Sequence, residues 1–169
     1  YRDFRPFHAD PMRLWENDGA GTMRDVSQAF DLVDHADGKG LLVLDHDGDG
    51  DEDVFVVNHV SGGTLWENRV ADRAENHWLR LRLEGVTANR SAFGARVRMI
   101  RSDGATPRVR ELVGGNNFLG QNDPIVHFGL GPSRARVHRI EISWPTPGTR
   151  KLQVLSNVAP DQTLVVREP

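Results

Sequence analysis

Six of the nine residues from Asp45 to Asp53 are acidic, in the order Asp-His-Asp-Gly-Asp-Gly-Asp-Glu-Asp. The spacing D-x-D-x-D-G-x-x-D brings carboxylates at the first, third and fifth positions of a tight loop towards one point, as a hard cation with oxygen ligands requires. Asp45, Asp47 and Asp49 supply those three, Asp51 offers its backbone carbonyl, Asp53 closes the set and Gly50 permits the sharp turn. Calcium takes roughly six to eight oxygens at about 2.3–2.6 Å and suits such a loop better than magnesium, which keeps waters in a strict octahedron. A merely solvated hairpin is the weaker reading, because six acids this close repel one another without a counter-ion. A helix–loop–helix calcium site also needs a bidentate Glu at the twelfth position; Val56 stands there, and the flanks read as strands. General acid–base work needs carboxyls with separated pKa values, whereas a metal-bound cluster keeps all of them ionised, so no catalytic residue is assigned.

The rest of the composition narrows the field. The 169 residues contain no cysteine, which removes disulfides, zinc thiolate sites and thiol nucleophiles. Apolar runs reach four or five residues, far short of the ~20 that cross a bilayer as a helix. The first residues, Tyr1 to Met12, are charged and carry no apolar core, so no signal peptide is expected in the chain, and the compartment, secreted or cytoplasmic, stays open. Net charge is only −3, yet residues 1–75 hold 17 acids and 7 bases while residues 76–169 hold 7 acids and 14 bases. That asymmetry points to two modules, 1–72 and 73–169, with different surfaces.

The elements that hold the loop are strands. Leu41–Leu44 and Val54–Val57 are short apolar, partly β-branched runs on either side of it. Leu14-Trp15-Glu16-Asn17 recurs as Leu65-Trp66-Glu67-Asn68, and an offset of 51 residues fits one four-stranded propeller blade better than a helical repeat. Beyond a linker at 71–76, Trp78-Leu79-Arg80-Leu81-Arg82-Leu83 alternates apolar and basic residues as a half-buried strand does. Further strands are expected at 94–101, 107–113, 124–129, 137–144, 149–155 and 162–167, separated by turns at 103–104, 114–117, 129–132 and 145–148. The fold class is therefore all-β: a β-propeller blade fragment followed by a β-sandwich.

Two family resemblances follow from these residues. The loop Asp45–Asp53, the strand Val54–Asn58 after it and the two Leu-Trp-Glu-Asn copies resemble the FG-GAP/VCBS repeats of calcium-binding β-propellers. Residues 76–169 resemble an ASPIC/UnbV domain in Asn76-His77-Trp78-Leu79, Gly85, Asn89-Arg90, Phe93-Gly94-Ala95-Arg96-Val97, Gly114-Gly115, Gln121, His127-Phe128-Gly129-Leu130-Gly131 and Ile142-Ser143-Trp144-Pro145. The chain departs from that pattern in having little more than one blade, and in Gly120-Gln121-Asn122 where the family tends to show Ser-Gln-Ser. The resemblance implies a calcium-binding, non-catalytic binding or scaffolding module. The alternative it implies is an accessory or catalytic protein of enediyne-type natural-product biosynthesis. It carries over no catalytic residues.

Other features weigh less. Asn116, Asn117, Phe118, Gln121 and Asn122 form a polar loop with one aromatic, a place for a ligand or for a protein or carbohydrate partner. Arginines such as Arg96, Arg98, Arg108 and Arg110 alternate along strands instead of clustering with aromatics, so they read as a solvated outer face and no nucleic-acid contact is expected. The seven histidines show no H-x-x-x-H spacing, and His46 is expected to face outward. One blade leaves unpaired strand edges, which could drive self-association.

Overall fold

The computed structural model describes residues 11–59, 61–69, 76–118 and 120–169. The module boundary expected at 72/73, and residues 71–75 of the linker, lie outside the described residues. Every regular element among the described residues is a strand: β1 (Trp15–Asn17), β2 (Met23–Asp25), β3 (Gly38–Leu44), β4 (Asp53–Asn58), β5 (Thr64–Trp66), β6 (His77–Glu84), β7 (Arg96–Ile100), β8 (Arg108–Glu111), β9 (Ile125–Gly131), β10 (Val137–Trp144), β11 (Lys151–Val158) and β12 (Gln162–Arg167). The all-β expectation holds.

Alternation along β6 builds the main core. Leu79, Leu81 and Leu83 are buried, while Trp78, Arg80 and Arg82 point the other way. β6 is the middle strand of a three-stranded sheet, β12-β6-β9, and its inner face meets a four-stranded sheet, β11-β10-β7-β8. Phe128 of β9, Val97 and Met99 of β7, and Ile140, Ile142 and Trp144 of β10 join the leucines in one cluster with almost no exposed surface. The buried indole N–H of Trp144 donates to Gln153 Oε1 at 2.9 Å, which removes the cost of an unpaired donor.

The pairing of β12 with β6 is parallel, unlike the other strand pairs, and both ends of it are fastened. At the start, Asp161 N donates to the Trp78 carbonyl (2.7 Å), and the Asp161 carboxylate meets His77 Nδ1 at 2.8 Å. At the end, Glu168 N donates to the Glu84 carbonyl (2.8 Å). The Glu168 carboxylate then accepts the successive N–H groups of Val86, Thr87 and Ala88 at 2.7, 2.7 and 2.8 Å. Burial alone would push this carboxyl up, but those N–H donors and the Thr146 hydroxyl hold it at about 2.

The end of β9 differs from the sequence reading. β9 runs through Gly129 and Leu130 to Gly131, so the turn begins later than expected; Gly129 pairs with Trp78 in the ladder and Leu130 is buried. Arg96, Arg98, Arg108 and Arg110 are exposed, as their alternation implied, with Arg110 lying over the Phe128 ring at 5.9 Å to the centroid; Arg80 of β6 is instead enclosed.

The N-terminal part forms a β1-β2 ribbon and the antiparallel sheet β3-β4-β5. The first Leu-Trp-Glu-Asn copy supplies β1, and the Leu65 and Trp66 of the second lie in β5. The acidic loop is the turn between β3 and β4, where the register pairs Leu44 with Asp53.

Candidate metal centre and its docking face

The β3–β4 ladder fixes both ends of the loop, and the loop's own backbone then folds around its carboxylates. Asp45 Oδ1 accepts Gly48 N (2.7 Å), and Asp45 Oδ2 accepts Gly50 N (3.2 Å). Asp47 Oδ1 accepts Asp49 N, and Asp49 Oδ1 accepts Asp51 N, so each odd-numbered aspartate caps the next turn. Gly48 and Gly50 have φ of +83° and +95°, a conformation glycine adopts at little cost.

Carboxylate oxygens of Asp45, Asp47 and Asp49 all lie within 4.8 Å of one another. Their all-oxygen character and mutual separation fit a hard divalent cation. Asp51 is placed differently, with its side-chain Oδ1 buried. Asp53 falls outside that trio and groups with His46 and Asp47. Its Oδ2 accepts His46 N (2.8 Å) and meets His46 Nδ1 (2.9 Å), and its Oδ1 accepts Asn68 N (2.8 Å). Burial would raise the Asp53 carboxyl, but the N–H groups of His46 and Asn68 overcome it and hold the group below its ordinary value. The same contact raises His46, with the Asp53 hydrogen bond as the main cause. His46 is thus tied back onto the loop instead of projecting free, and Asp47 belongs to both clusters: Asp45–Asp47–Asp49 and His46–Asp47–Asp53.

The loop does not hang in solvent. Its inner side rests on the outward residues of β6 and β9. Arg80 Nη1 donates to Asp45 Oδ2 at 2.5 Å, with the two side chains only 13% and 1% exposed. His127, the ladder partner of Arg80, engages the Gly50 carbonyl through Nε2 at 3.0 Å, and its Nδ1 lies 3.6 Å from Glu52. Gly50 packs so closely on Trp78 that a Cβ built there would fall 1.8 Å from the indole nitrogen. Sequence reasoning missed Trp78, Arg80 and His127. Their signal was present in the charge asymmetry of the two halves and in the shared parity of Trp78 and Arg80 along β6, read there only as the open side of a half-buried strand.

The polar loop at 116–122 contributes to the same docking. Asn122 Oδ1 accepts Val43 N (3.1 Å) on the edge of β3 and also Asn117 Nδ2 (2.8 Å). Asn116 Oδ1 accepts Asn122 N (3.2 Å), which curls the loop. Phe118 is 66% exposed and Gln121 is exposed, so these two side chains face away from this contact.

A family model described as ASPIC and UnbV matches residues 85–169, half of the chain. The chain belongs to the ASPIC and UnbV family. The matched region starts at Gly85 and takes in the Asn89 clamp, in which Nδ2 donates to the Phe93 carbonyl (2.9 Å) and Oδ1 accepts Phe93 N (2.8 Å). Similarity to curated proteins extends further along this ASPIC and UnbV chain. It is 27% identical over 150 residues to "Cartilage acidic protein 1" of Mus musculus and likewise of Homo sapiens, covering 86% of the chain and 20% of each relative. The Xenopus tropicalis protein of the same name is 29% identical over 146 residues. The chain therefore spans about a fifth of the length of the relatives it matches.

Proposed function

We propose that the Asp45–Asp53 loop binds calcium, and that the chain acts as a non-catalytic binding or scaffolding module of the ASPIC and UnbV family. The observation that carries this reading is the convergence of Asp45, Asp47 and Asp49 oxygens within 4.8 Å on a glycine-permitted turn. These three carboxylates and the Asp51 backbone carbonyl would hold the ion; Asp53, expected from the spacing to close the set, instead engages its oxygens with the N–H groups of His46 and Asn68 and braces the loop. In this reading β3-β4-β5 is a blade-like unit, and β6 to β12 form a sandwich against which it is stapled.

Scaffolding is favoured over an accessory role with a substrate held between the two parts. The line of contact between them is filled by Gly50 on Trp78, Asp45 on Arg80 and Asn122 on Val43. The exposed Phe118 and Gln121 remain the place for a protein or carbohydrate partner.

Isothermal titration with calcium tests the proposal, with magnesium as the comparison ion. One bound calcium per chain is expected, weakened at least tenfold by the double substitution Asp47→Asn and Asp49→Asn. Absence of calcium heat from the folded chain would overturn it.

A further inference from the structure

The buried end of the acidic loop already has a cation beside it. Asp45 is the loop carboxylate that meets β6, and its side chain is 1% exposed against the guanidinium of Arg80. A buried carboxylate without a counter-charge is strongly unfavourable, so the fork of Arg80 stabilises the loop in the absence of any ion. The groups facing this pair are mixed in sign. His127 stands beside Arg80 in the ladder, Asp123 lies 3.9 Å from Arg80 Nη2, and Glu52 lies 3.6 Å from His127. Arg82, two residues further along β6, is exposed.

An ion coordinated by Asp45 would share that one carboxylate with the guanidinium of Arg80. Two cations on one carboxylate repel. We propose that Arg80 and calcium are alternative counter-charges for Asp45, so that Arg80 is a positioning residue that lowers the loop's calcium affinity and holds it docked on β6 when no ion is bound. This inference rests on the calcium reading of the loop. Its sign follows from comparing the two states. Removing Arg80 leaves Asp45 uncompensated in the ion-free protein, whereas in the loaded protein the ion supplies the missing charge. The variant's ion-free state therefore suffers more than its loaded state, and binding tightens. A residue that merely shaped the loop would give the opposite sign, because its loss would weaken binding.

The test is calcium titration and thermal unfolding, with and without chelator, on the full chain as wild type, Arg80→Gln and Arg82→Gln. Arg80→Gln is expected to bind calcium about tenfold more tightly, a change of ~1.4 kcal/mol. It should also melt lower than wild type in chelator and gain more in Tm on adding calcium. Arg82→Gln is expected to match wild type in both readouts. Equal or weaker binding by Arg80→Gln, while wild type binds, would overturn the role of Arg80 and leave the calcium site standing. Absence of binding by wild type and both variants would overturn the calcium reading itself. Should Arg80→Gln fail to fold in chelator, recovery of a cooperative transition on adding calcium supports the proposal, and failure to recover opposes it. Arg80→Lys, which keeps the charge, is then expected to stay within about threefold of wild-type affinity, and a tenfold tightening would count against the shared-charge account.

Discussion

Gly50 carries two constraints at one atom: a φ of +95° and an indole where a side chain would begin. Gly50→Ala must therefore strain the backbone and displace Trp78, and about 2–4 kcal/mol of lost stability is expected by chemical denaturation. Gly48 is the matched control. It has φ +83° but open space around its missing Cβ, so Gly48→Ala is expected to cost about 1 kcal/mol, from conformation alone. Glu168 gives the residue-scale pH dependence. Its carboxyl lies well below the ordinary 4.5, at about 2, so the folded state favours the charged form. The stability it contributes is complete above the unfolded-state pKa and is lost as pH falls from about 4.5 towards 2. Tm measured across that interval should fall more steeply for wild type than for Glu168→Gln, whose neutral amide cannot titrate.

Among the elements, the edge of β3 is the most informative. An edge strand presents unpaired backbone groups, and here the Val43 N–H is taken by the Asn122 side chain while Phe118 and Gly120 approach Gly40 and Leu42. Asn122→Ala is expected to cost about 1 kcal/mol and to speed amide exchange at Val43, with little change at Leu81 in the core. The expectation that strand edges of the N-terminal sheet invite self-association is thus narrowed, since one of those edges is capped from within the chain. The residue types of β6 announced a half-buried strand, and its leucines are buried as the alternation requires. What the arginines of that strand would touch was not legible, because their partners lie tens of residues away and alternation specifies a face without naming what covers it. Asp45 to Arg80 spans 35 residues and Gly50 to His127 spans 77. The convergence of carboxylates was legible for Asp45, Asp47 and Asp49, where local spacing alone sets the geometry. It was less so for Asp53, whose orientation is decided by Asn68 on the strand-exit segment after β5.

For the whole molecule, the central question is whether an ion adds to stability. A ligand that binds only the folded state stabilises it by about 2.7 kcal/mol when present at one hundred times its dissociation constant. For a chain of this length, 1 kcal/mol corresponds to roughly 2–4 °C, so saturating calcium is expected to raise Tm by about 5–10 °C and a chelator to reverse the rise. A Tm indifferent to both would speak against the loop as a calcium site. Because the loop lies on the β6–β9 face, the gain should appear in a single transition and not in a separate melting of the N-terminal sheet.

The two fastenings of β12 also govern the order in which the chain can acquire its structure. His77 and Trp78 reach Asp161 across more than eighty residues, and Val86 to Ala88 wait for Glu168 across a similar distance. During synthesis β6 emerges long before the strand that lies parallel to it, so one side of the central strand stays open until residues 162–167 have left the ribosome. Loop-closure entropy of that size makes such pairing slow, and an open parallel edge is the kind of surface on which nascent chains stick to one another. Aggregation during synthesis therefore concentrates in the interval before residues 162–168 become available, whatever the stability of the finished fold.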